Sequence, residues 1–124
     1  MILHAILAAL IAAQSPGTSV AVDSTPLPPS LSQQNRAVIR CSAAFAMVAH
    51  GQNAGNQAAQ QWPDVGTRGR EFFVVSLAQL MDETGLDRAG VARLVQAEAQ
   101  RLWDSDEVDA VMPACLLMLQ SAGL

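Results

Sequence analysis

The sequence predicts an all-α domain, a compact array or bundle of about four helices closed by one disulfide, and three observations carry that expectation. Bulky apolar residues recur three and four apart in separate stretches, the spacing that gathers them on one face of a helix. The apolar half of the composition is rich in Ala, with three Phe, two Trp and no Tyr, so the core draws on small and aliphatic side chains that suit close-packed helices better than a sheet. The two cysteines, Cys41 and Cys115, each fall on the apolar face of their own stretch, which places both in one core.

Residues 1–21, MILHAILAALIAAQSPGTSVA, open with about a dozen apolar residues, too few to cross a bilayer as a helix and suited to the core of a signal peptide. Met1 to His4 place no Lys or Arg ahead of that run. Ser19 and Ala21 supply the small residues a signal peptidase accepts, so cleavage is expected after Ala21, leaving an exported, periplasmic chain with no stable membrane span. Residues 22–29, VDSTPLPP, hold three prolines in four positions, which forces extended backbone and marks a linker. The helical domain is expected over 30–124.

Ser30 is the expected cap of the first helix, with Gln33 able to return the bond of a capping box. Leu31, Val38, Cys41, Phe45 and Val48 trace its seam, and Gly51 should end it. The amide-rich stretch 52–61 has no bulky apolar residue and predicts a loop or a weak helical turn. Pro63 suits the first turn of a second helix reaching about Glu83, whose face carries Val65, Phe72, Phe73, Leu77, Leu80 and Met81. Gly66 and Gly69 weaken its opening, unless they admit a close neighbour or the helix starts near Arg70. Gly85 stops it. Asp87 then caps a third helix, with Leu86 and Val91 at the positions of a hydrophobic staple and Val91, Leu94, Val95, Glu98 and Leu102 in one stripe to Trp103. The carboxylates of DSDEVDA open a fourth helix bearing Val108, Val111, Met112, Cys115, Leu116 and Leu119. Pro113 inside it predicts either a kinked helix or two segments meeting near Met112.

Chemistry is sparse. A net charge of −4, with seven arginines scattered among eleven carboxylates and no lysine, disfavours nucleic-acid binding, which needs a basic face. In an oxidising compartment Cys41 and Cys115 are expected to pair as a structural disulfide, since they lack the two-residue spacing of a redox motif. His50 is the lone histidine outside the signal segment. A copper site from Met112, Cys115 and Met118 would need a reduced thiol, and Asp104, Asp106 and Asp109 lack the glycine and the closing glutamate of a calcium loop. No catalytic set, cofactor motif or metal site is therefore expected.

The series RCSAAFAMVAHGQ, GREFFVVSLAQLMDETGL and MPACLLML resembles small uncharacterised exported all-helical proteins of alphaproteobacteria, with one cysteine in the first helix and one in the last. That resemblance implies a fold and a compartment, and no activity. Cys41 followed by Phe45 is also loosely similar to the HdeA-type periplasmic acid-stress chaperones, which are small, helical and stapled by one disulfide, although the cysteine separation here is much longer and their lysine-rich pattern is absent. Two functions follow as expectations. One is a non-enzymatic periplasmic binding or chaperone-like module that takes a protein or a small apolar ligand in a groove between helices. The other is a small-ligand or hydrolytic protein in which Arg68, Arg70, Arg93 and Arg101 converge with carboxylates, and the spacing of the arginines favours dispersal instead. A third possibility is an envelope-associated module whose helix faces mate with a partner or with one another: of the adjacent Phe72 and Phe73, one either reaches a groove or the surface, or both join a wide core stripe.

Overall fold

The computed structural model describes residues 31–124, so the expected signal segment 1–21, the linker 22–29 and the expected cap Ser30 lie outside the described residues. Five helices follow in order, α1 (Gln33–Asn53), α2 (Gln57–Gln60), α3 (Gly66–Thr84), α4 (Arg88–Asp104) and α5 (Val108–Ser121), with no strand among the described residues. Four are long, and the one-turn α2 falls in the amide-rich stretch.

The first helix is the axis of the molecule and packs against each of the other four. Its sequence explains why. Besides the expected seam, Ile39, Ala43 and Ala44 are fully buried, so α1 is apolar around most of its circumference, and its small residues let neighbours approach from several sides. The observed N-cap is Ser32, two residues beyond the expected Ser30; its hydroxyl oxygen accepts from the Asn35 N–H at 3.0 Å.

Gly51 does not end α1, which runs on to Asn53. The stop comes from Gly55 in the left-handed region at φ +75°, where Asn56 N–H donates to Gly51 O at 2.8 Å and Gly55 N–H to Gln52 O at 3.2 Å, the paired bonds of a Schellman ending. Gly51 serves packing instead: a Cβ there would lie 2.8 Å from that of Ala59, so its absence lets α2 fold back onto α1. Gln52 then organises the return, donating from Nε2 to the carbonyls of Ala59, Trp62 and Pro63 and accepting the Val65 N–H at 3.4 Å. This uses the amide to satisfy backbone that no helix covers.

Pro63 lies outside α3, which starts at Gly66 with Asp64 Oδ1 accepting the Gly66 N–H at 3.1 Å. Gly69 is there for proximity: a Cβ would sit 2.8 Å from Phe45 Cβ, so the glycine sets how closely α1 and α3 approach. Across that contact Phe45 and Phe72 meet edge to face, with ring centroids 5.5 Å apart.

The cap on α4 matches expectation, with Asp87 Oδ1 accepting the Gly90 N–H at 2.7 Å. Val91 is fully buried, while Leu86 of the expected staple stays exposed. Another Schellman ending follows at Asp106, a non-glycine residue at φ 54°, a conformation that aspartate tolerates better than most. Helix α5 is one continuous element with Pro113 inside it, not two segments. Pro113 is exposed and Cys115 buried, so the proline occupies the solvent side of the helix, where the Asp109 carbonyl it frees can meet water. The Cys41–Cys115 disulfide joins α1 to α5 with Cα atoms 5.2 Å apart, inside the usual range. Arg68 fastens the far end of α5 by donating from Nη2 to the Leu124 oxygen at 2.6 Å.

Candidate functional site

Three helices leave a gap that none of them fills. On α1, Ser42, Ala46 and Ala49 follow one another at spacings of four and three; on α3, Gly66, Gly69, Arg70 and Phe73 share a face; on α4, Ala92, Val95 and Gln96 complete the wall. Small residues on all three sides keep the walls back, and Phe45, Phe73 and Val95 give them apolar depth. The resulting groove encloses about 390 Å³, at the lower end of the range for small-molecule pockets. Of the adjacent aromatics, Phe72 goes to the core and Phe73 to this groove.

Two polar features interrupt the apolar wall. Ser42 is 4 % exposed, and its hydroxyl has no hydrogen-bond partner among the described residues. Arg70 is the one charged residue of the lining and has no ion pair among the described residues. An apolar cleft with a few placed polar groups has the usual make-up of a small-molecule pocket.

The convergence of Arg68, Arg70, Arg93 and Arg101 that a hydrolytic site would need is absent, and the four are dispersed as their spacing favours. Arg68 holds Leu124, Arg70 stands at the groove, Arg93 is exposed on α4, and Arg101 turns to Glu98. A different arginine joins the last pair: Arg40 lies 3.5 Å from the Glu98 carboxylate. Arg101 grips Glu98 through two bonds, Nη2 to Oε1 at 2.6 Å and Nε to Oε2 at 3.1 Å, and reaches Glu107 through Nη1 at 2.8 Å. The Glu98 hydrogen bonds hold the Arg101 guanidinium above its ordinary value, against the opposing effect of burial. Arg101 in turn holds the Glu107 carboxyl below the usual carboxylate range. Each charge here is answered by another, so the cluster ties α1, α4 and the α4–α5 turn together. Glu98 was legible as a carboxylate on an otherwise apolar stripe, with an arginine three residues on.

Elsewhere, a hollow of about 460 Å³ between α1, α2 and the α4–α5 turn is lined by His50, Trp103, Asp106 and Asp109 among others. Asp109 is engaged there, accepting from Trp62 Nε1 at 3.0 Å. No group of three His, Cys, Asp or Glu among the described residues could hold a metal ion. Cys115 is bonded to Cys41, so it offers no thiolate to the copper arrangement considered with Met112 and Met118. Among the described residues, no helix is long and apolar enough to cross a membrane.

In comparison with known proteins, no family model, no curated protein and no solved structure matches this chain.

Proposed function

We propose that this chain is an exported, non-enzymatic binding module of the periplasm, whose groove between α1, α3 and α4 takes a small apolar ligand. The observation that carries the reading is the groove itself: about 390 Å³ walled by Phe45, Ala46, Ala49, Phe73 and Val95 and kept open by small residues. A solvated apolar concavity of that size is where a hydrophobic ligand gains most by leaving water. The pairing of Arg101 with Glu98 and Glu107 also supports it over a hydrolytic reading, since those charges stabilise one another instead of facing a substrate. Export is supported by the Cys41–Cys115 bond, because disulfides persist in oxidising compartments, and by the signal-like residues 1–21.

Uptake of a neutral, environment-sensitive apolar dye tests the binding. Titration of the oxidised protein should give saturable fluorescence at unit stoichiometry, and Ala46→Phe or Ala49→Phe, which place a ring in the gap, should weaken uptake roughly tenfold. Uptake that ignores both substitutions would remove the groove from the account. Cell fractionation with N-terminal sequencing tests the compartment: periplasmic protein beginning at Val22 is expected, and cytoplasmic protein retaining residues 1–21 would refute export.

A further inference from the structure

Resting on the groove as a ligand site, we infer that its occupant is a single-chain alkyl carboxylate, a free fatty acid of medium length, with its chain in the groove and its head at Arg70. Shape sets the first limit. About 390 Å³ lies near the bottom of the usual range for ligand pockets, which favours one unbranched chain over a two-chain lipid or a folded peptide segment. Phe45, Phe73 and Val95 supply the apolar contact, and the short side chains of Ala46, Ala49 and Ala92 leave room for a narrow chain between α1 and α4.

Charge sets the second limit. Arg70 is the sole charged residue in the lining, is exposed, and has no ion pair among the described residues, unlike Arg40 and Arg101. An apolar chain ending in an anion satisfies both the walls and this guanidinium, whose fork matches a carboxylate through two bonds. A neutral alcohol would leave the guanidinium without its ion pair, and an alkylammonium would be repelled by it. Glu71 is one residue further on, about 100° around α3, and does not line the groove. The molecule's net charge of −4 opposes anions at long range, but at ordinary ionic strength it is screened beyond roughly 10 Å, so the near charge of Arg70 governs. Ser42, buried in the same wall with a hydroxyl that has no hydrogen-bond partner among the described residues, and the amide of Gln96 add hydrogen-bonding capacity to the lining.

The experiment is calorimetric titration of the full chain, disulfide intact, with decanoate, decanol, decyltrimethylammonium and a short apolar peptide, all below their aggregation concentrations. Decanoate should bind best, and each methylene removed from it should weaken binding roughly fourfold, the loss expected for one buried methylene. Arg70→Gln should weaken decanoate roughly threefold to tenfold while leaving decanol unchanged, and Arg70→Lys should restore part of the preference. Equal binding of decanoate and decanol, with no effect of Arg70→Gln, would overturn the carboxylate assignment while the groove stands as an apolar site. Preference for the peptide would overturn the alkyl-chain assignment in the same way. Failure of every probe, in a protein whose circular dichroism shows it folded, would overturn the binding reading itself.

Discussion

Glu98 stands on α4 among valines and leucines, 2 % exposed, with Arg101 and Arg40 as its ion-pair partners, and a carboxylate buried without such partners is costly. The two sides of that pair differ in exposure, and the difference makes a prediction. Arg101→Met leaves a buried carboxylate with Arg40 alone at 3.5 Å, and should cost about 3 kcal/mol. Glu98→Met leaves an arginine that keeps 29 % of its side-chain surface in water and still bonds Glu107, and should cost about 1 kcal/mol or less. Urea denaturation of both variants with the disulfide intact checks the order, and an equal or reversed cost would contradict it. Glu107 adds a pH dependence. Its carboxyl is held below the ordinary 4.5 by the Arg101 hydrogen bond, so below that pH the unfolded chain takes up the proton before the folded one does. The stabilisation is therefore complete above about pH 4.5 and fades as pH falls through the depressed value. Melting temperatures of the wild type and Glu107→Gln, measured from about pH 7 to about pH 3, should converge on acidification. A gap that stays constant or widens would show that Glu107 acts by something other than its charge.

Helix identity was legible in the chain, because periodicity and capping are local. Asp87, Gly85 and the carboxylates before Val108 mark boundaries that the structure reproduces to within a residue or two. The misreading at Gly51 has a plain cause, which is that a glycine can serve contacts the sequence does not display. Gly51 reads as a stop and is a contact with Ala59, whereas at Gly69 the alternative of a close neighbour holds, with Phe45 against it. A groove between helices was expected, but its lining was hidden for the same reason. Ala46, Ala49 and Ala92 are unremarked helix formers one at a time, and a gap exists only once three helices take their places around them. Gly69→Ala separates the two readings of that glycine. Helix propensity alone favours alanine by about 1 kcal/mol, whereas the new Cβ must displace Phe45 at 2.8 Å, an overpacking that costs about 1–3 kcal/mol. A net loss of about 1 kcal/mol is expected by thermal or chemical denaturation, and a gain would mean that α1 and α3 part without cost.

At the scale of the whole molecule, α1 collects the other helices while one covalent bond closes the circuit from the first long helix to the last. This closure was readable from two cysteines on two apolar faces, although the path between them was not: the burial of α1 on several sides between Asn35 and Val48 follows from its position at the centre, which no periodicity within α1 reveals. A domain with so few aromatics needs the clamp more than most. Cross-linking residues 74 apart removes freedom from the unfolded chain, a stabilisation of about 4 kcal/mol in the chain-entropy account and a large share of the 5–15 kcal/mol typical of a domain. Reducing the wild-type protein should therefore lower its urea midpoint sharply and raise the denaturant slope, since an uncrosslinked unfolded chain exposes more surface. The Cys41→Ala, Cys115→Ala double variant should match the reduced protein and ignore reductant. If reduction changed neither midpoint nor slope, the bond would be an accessory to a core already sufficient without it, and the stability of this helical array would have to be sought in the burial around α1 alone.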